Sequence, residues 1–170
     1  MAVPPSVRAE RLAPTFAARL IRTGITIGVV DALWAFVLTA AYGRPLFSVW
    51  RGVAAVPFGK EMLDGGVRAG AIGLGLHFCV AFTWSAVWLI AHVNSAALRR
   101  LTSTAAGVAA ASVLYGPFIW CVMSLVVTPS FTHNAPVITA RWVIQLCGHM
   151  VFVGLPIVWS VARGGTATTS

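Results

Sequence analysis

Four apolar stretches, Thr23 to Tyr42, Val67 to Ala91, Thr104 to Val127 and Ala140 to Ala162, dominate the chain. About 20 mostly apolar residues in a helix cross the roughly 30 Å hydrocarbon layer of a bilayer, and every stretch is that long. Backbone polar groups have no water to bond inside that layer, so each stretch is expected to be a complete helix. The predicted fold is therefore all-α, a polytopic membrane bundle of four transmembrane helices. Composition agrees. Of 170 residues, 58% are hydrophobic and only 9% charged, with a mean hydropathy of +0.86, which leaves too little polar surface for an ordinary soluble domain.

The formal charge of +8 does not point to nucleic acid. The basic residues are spread over loops and span ends, as in proteins that meet lipid headgroups, and no basic stripe interleaves with aromatics. Arg8, Arg11, Arg19, Arg22, Arg99, Arg100 and Arg163 fall on the side holding both termini. Arg44, Arg51, Lys60, Arg68 and Arg141 fall on the other. That excess predicts cytoplasmic termini.

Residues 1–22 read as a cytoplasmic amphipathic segment. Val7 to Ile21 is Arg-rich with interspersed Leu, Phe and Ile, suited to lying along the membrane surface and broken at Pro14. The apolar run after it superficially resembles a signal peptide, but Asp31 interrupts the run and three further spans follow, so it is kept as the first span. Residues 23–162 form the transmembrane domain and 163–170 a short tail. Between the first two spans, Pro45 to Pro57 is too short to cross, yet carries Phe47, Trp50, Val53 and Val56 at three-residue steps. This predicts a short interfacial helix in the first outer loop, its aromatic face in the headgroup boundary, either capping the bundle or offering a platform to a partner or a lipid-soluble substrate.

Cys79, Cys121 and Cys147 lie inside spans with no CxxC pair, so they read as buried small apolar residues rather than thiol-exchange groups. Gly24-x-x-x-Gly28, Gly70, Gly73, Gly75 and Gly107-x-x-x-Ala111 supply small faces where helices approach closely in lipid, chiefly within the chain.

Polar residues within the spans are the candidate site. An ionised side chain facing lipid costs about 2.5 to 3.5 kcal/mol, so such residues are expected to face one another or a cavity. Counting from the outer span ends at 1.5 Å per residue places Asp31, His77, His149 and Tyr115 roughly 16, 14, 12 and 18 Å deep. One group from each span thus falls in a single midplane layer, and Gln145, one turn before His149, joins it. Three roles compete for this cluster: interhelical hydrogen bonding, a proton, ion or solute route using Asp31 and the histidines, and ligation of haem or chlorophyll by His77 and His149. Against ligation, Phe78, Trp84 and Phe152 leave no obvious slot. His92 and His133, at a span end and in a loop, are expected to be solvated. A matched spacing of fourteen residues, Asp31 to Pro45 and Tyr115 to Pro129, suggests two parallel helical hairpins.

His77-Phe78, Tyr115-Gly116, Val126-Val127-x-Pro129 and His149 with Val153-Gly154-Leu155-Pro156 together resemble a family of small bacterial inner-membrane proteins with four helices. Thr128 and Ser124 depart from its pattern. The resemblance implies fold and location and no activity. With so little chain outside the bilayer to hold a nucleophile or phosphate loop, the expected role is non-enzymatic and without a cofactor. An accessory or structural subunit in contact with lipid and other membrane subunits comes first, and a proton, ion or solute transporter second.

Overall fold

The computed structural model describes the backbone of residues 5–163 and the side chains of residues 16–163. Within them there are six helices and no strand: α1 (Pro5–Ala41), α2 (Ser48–Phe58), α3 (Gly66–Asn94), α4 (Ala96–Leu101), α5 (Ala105–Thr132) and α6 (Ala140–Arg163). Four of these contain a run long and apolar enough to cross a membrane: Phe16–Ala41, Gly66–Asn94, Ala105–Thr132 and Ala140–Arg163. The chain is a helical bundle and, by the length and composition of these helices, a multi-pass membrane protein. Its outward surface is apolar, with Leu33, Val37, Leu114 and Val151 all more than half exposed, as contact with lipid tails requires.

The helix ends follow local chemistry. Ser95, Thr104 and Thr139 cap α4, α5 and α6, their hydroxyl oxygens accepting from the backbone N–H of Leu98, Gly107 and Trp142. Gly43 (φ 62°) and Gly59 (φ 98°) turn the chain out of α1 and α2, in backbone regions a side chain disfavours. α5 and α6 each contain a π-helical segment, Val122–Val127 and Met150–Gly154. Each segment lies just before a proline, Pro129 or Pro156. A proline ring clashes with the carbonyl four residues back and offers it no N–H, and the wider turn accommodates both defects.

Two expectations about the chain's outer parts change. α1 runs without interruption through Pro14, so the backbone shows no break there. Side chains before residue 16 and the tail beyond Arg163 lie outside the described residues. The helix of the first loop, α2, is not laid with its aromatic face toward headgroups. Trp50 is 1% exposed and Ala54 is fully buried, because α2 docks tightly on α3. A Cβ at Gly73 would overlap the Trp50 carbonyl, so the missing side chain is what lets the two backbones meet.

The core joins α1, α3, α5 and α6 through Ile27, Trp88, Leu89, Ile119, Ile157 and Val161, among others. α5 and α6 touch backbone to backbone, Gly116 against the His149 carbonyl and Gly154 against that of Ser112. Gly24 and Gly28 receive the rings of Phe82 and Phe78 of α3, so that small-residue pair packs within the chain. At the end holding the termini, Arg19 and Arg22 of α1 donate to the carbonyls of Val161 (2.8 Å) and Ser160 (3.2 Å) in α6. Arg99 donates to those of Val93 and His92 at the end of α3. His92 is buried rather than solvated, its Nε2 donating to Thr102 Oγ1 at 3.1 Å, because α4 folds back over the end of α3. His133 is exposed and ends α5 at φ 54°. Cys79 and Cys147 are exposed, on the outward side of their helices, and Cys121 is half-buried; all three are free. Periodicity in a uniformly apolar span does not reveal which face is inside, hence the contrary expectation.

Candidate functional site

A cavity of about 650 Å³ opens between α1, α2, α3, α5 and α6. That volume lies within the range of small-molecule sites, which are characteristically apolar with a few converging polar groups. Val49, Val53 and Val56 of α2 form one wall, and Met123, Val127 and Phe131 of α5 another. Asp31, His77, Gln145 and His149 reach the same space from three helices, and Trp84, Trp120, Trp142 and Arg141 complete its more polar and aromatic lining. The residues Phe47, Trp50, Val53 and Val56 thus divide: Trp50, Val53 and Val56 line the cavity, while Phe47 is exposed and packs edge-on against Phe36.

The polar groups are held in defined orientations. His77 Nε2 lies 3.0 Å from the carbonyl oxygen of Gly28, which only accepts, so Nε2 carries the proton. Its Nδ1 then faces Asp31 Oδ2 at 3.8 Å, ion-pair distance. Trp50 backs this imidazole with ring centroids 4.9 Å apart. On α6, His149 Nδ1 donates to the carbonyl of Gln145 at 2.7 Å, and Trp120 packs against the ring at 4.8 Å. The Gln145 side-chain oxygen accepts from Trp34 Nε1 at 2.8 Å, and Trp34 stacks on Phe152 at 4.6 Å. Trp142 Nε1 donates to Ser124 Oγ at 3.0 Å. Near the mouth, at the end away from the termini, the Arg141 guanidinium lies over the Tyr42 ring at 5.3 Å.

Four of the five midplane residues therefore meet at one cavity, and Tyr115 does not. Its hydroxyl donates to the Trp84 carbonyl at 2.8 Å, and its ring is buried against Trp88. Trp84 and Trp88 lie seven and eleven residues past His77 on α3, roughly 10 and 16 Å along the axis, so the Tyr115 side chain is off the level of His77 along the bundle and not only turned away. α5 runs on to Thr132, beyond the expected end at Val127. The paired-hairpin symmetry does not extend to these bonds either: Asp31 faces His77, whereas Tyr115 bonds to α3 and His149 to its own helix.

A slot does exist, contrary to the reading of Phe78, Trp84 and Phe152 as fillers. Phe78 lies over Gly28 and Phe152 against Trp34, so both rings pack into helix contacts, while Trp84 lines the space. As ligands for haem or chlorophyll, His77 and His149 are unequal. Both nitrogens of His77 face protein groups, Gly28 O and Asp31, while His149 has only Nδ1 in a hydrogen bond. Among the described residues no group of three His, Cys, Asp or Glu is placed to hold a metal ion. Sequence reasoning missed Trp120 and Trp142 as lining residues and α2 as a wall; the three-residue apolar step of α2 carried the second signal. Compared with protein families, curated proteins and solved structures, the chain matches none.

Proposed function

We propose that this protein is a non-enzymatic membrane transporter that binds a small lipophilic solute in the cavity between α2 and the four spans, in a bacterial inner membrane with its termini cytoplasmic. The observation that carries the reading is the cavity itself, whose mostly apolar lining converges on Asp31, His77, Gln145 and His149. An accessory-subunit role finds support in the exposed apolar flank of α1, including Ile25, Val29, Leu33 and Val37. Lipid covers such a flank equally well, so the flank alone does not call for a partner. The excess of basic residues on the side of the termini, seven against five, supports the orientation, and the resemblance noted above supports the membrane.

The two roles differ in whether water reaches the depth of Asp31. Ala35 lines the cavity one turn from Asp31, while Val37, two residues further along the same helix and so at similar depth, faces outward, 61% exposed. In a background lacking Cys79, Cys121 and Cys147, Ala35→Cys should react with a water-soluble methanethiosulfonate and Val37→Cys should not. Equal inertness of both positions would remove the transport reading and leave the subunit role.

A further inference from the structure

We infer that the cavity takes a lipophilic organic cation in exchange for one proton held between Asp31 and His77, an inference that presupposes the solute-binding reading above. Asp31 is the one carboxylate among the lining residues. It belongs to α1. The other titratable groups lining the space are His77 of α3 and Arg141 and His149 of α6, while α2 and α5 contribute none. Arg141 stands two turns above His149, roughly 12 Å along the axis, and its guanidinium lies over Tyr42, so it marks the mouth and not the floor.

The orientation of His77 defines the exchange. Because Nε2 donates to Gly28, Nδ1 presents either a lone pair or a second N–H to the carboxylate 3.8 Å away. A lone pair facing an ionised carboxylate, both side chains less than one-fifth exposed, leaves an uncompensated charge at mid-depth, which is costly in a low dielectric. One added proton makes the pair neutral, whether it sits on the carboxyl or on the imidazole. A cation entering beside Asp31 supplies the same compensation and releases the proton to water. Written for charge, the protonated pair plus the cation gives the carboxylate–cation pair, neutral His77 and one free proton. The site is neutral in either state. It carries excess charge with neither occupant or with both, and that difference couples one to the other.

The aromatic lining selects the kind of cation. Trp84, Trp120 and Trp142 are each partly exposed and line the same space, and indole faces attract cations, quaternary ones included, without needing hydrogen bonds. A neutral hydrogen-bond acceptor is the rival ligand, since Trp50 and Trp120 carry indole N–H groups without partners. Those two atoms are buried and closed to a probe the size of water, so neither donates to an occupant.

The test uses three probes of similar shape and different charge on the full chain in lipid nanodiscs: tetraphenylphosphonium, neutral triphenylphosphine oxide and tetraphenylborate. Binding is read by tryptophan fluorescence and proton release by an indicator in weak buffer. Tetraphenylphosphonium should bind best, release about one proton per cation, and bind about tenfold more tightly per unit rise in pH while the pair is protonated. Asp31→Asn should abolish the proton release and weaken that binding at least tenfold, removing the preference for the cation over the phosphine oxide, and Asp31→Glu should restore release. If Asp31→Asn does not fold, the charge series and proton count on the unaltered chain decide alone. Preference for the phosphine oxide or the borate, or cation binding without proton release, would overturn the exchange and leave a solute cavity of another class. Saturable binding of none of the three would overturn both this inference and the solute-binding reading.

Discussion

Placing a methyl group at Gly73 tests how α2 is held against the bundle. A Cβ there would stand 2.6 Å from the Trp50 carbonyl carbon and 3.1 Å from the Ala54 nitrogen, closer still to the Trp50 oxygen. These are backbone atoms and cannot rotate away, so α2 must retreat by about 1.5 to 2 Å to recover ordinary contact. That retreat draws Trp50 from a site where it is 1% exposed and touches His77 and Phe36. Overpacking of this kind costs about 1 to 3 kcal/mol, against a helix-propensity gain for Gly→Ala of about 0.5 to 1 kcal/mol. The net expectation for Gly73→Ala is a loss of about 0 to 2.5 kcal/mol, and a deficit of about 1 to 3 kcal/mol against a variant that has the gain alone. Gly75 is two residues along the same helix with nothing within 4 Å of its would-be Cβ, so Gly75→Ala keeps only the gain. Unfolding of both variants in mixed micelles with added dodecyl sulfate, followed by far-ultraviolet circular dichroism, compares them directly. Equal stability of the two variants would refute the docking of α2 described here.

Three further outcomes are expected. Trp34→Phe keeps the stack on Phe152 and loses the bond to Gln145, costing about 1 kcal/mol, and combining it with Gln145→Leu should cost less than the two separate changes summed, as a double-mutant cycle would show. Tyr115→Phe should lower stability by about 0.5 to 1.5 kcal/mol through the lost bond to the Trp84 carbonyl while leaving probe binding unchanged, because Tyr115 does not line the cavity. Thr102→Val deprives buried His92 of its acceptor and should cost about 1 to 3 kcal/mol in the same unfolding assay, with Thr102→Ser close to the parent.

The four spans were legible because length and hydropathy alone decide what can cross a bilayer. That Asp31, His77, Gln145 and His149 could meet was legible too, since rise per residue is constant, and they line one cavity. Tyr115 was misplaced because α5 runs on to Thr132 rather than ending at Val127. Azimuth was not legible. In α5 and α6 the π segments alter the turn, and no residue pattern short of Pro129 and Pro156 marks them. Cys79 and Cys147 illustrate the same limit: a thiol and an isoleucine are equally welcome on either face of an apolar helix. Trp50 was misjudged for a different reason. An indole in a short loop helix suits the headgroup boundary as well as a packed interior, and the deciding partner, Gly73, lies 23 positions away in the sequence.

The bonds from Arg19 and Arg22 to the carbonyls of Val161 and Ser160 bear on how the bundle is made. Carbonyls in the last turn of a helix lack partners within it, and guanidinium groups at a span end need acceptors. During synthesis the first span emerges long before the fourth. Until α6 is threaded in, two arginines and two carbonyls wait for one another across three unfinished connections. The first span can be inserted early, but its end on the side of the termini is completed only by the fourth, so closure of the bundle is a late event in biogenesis.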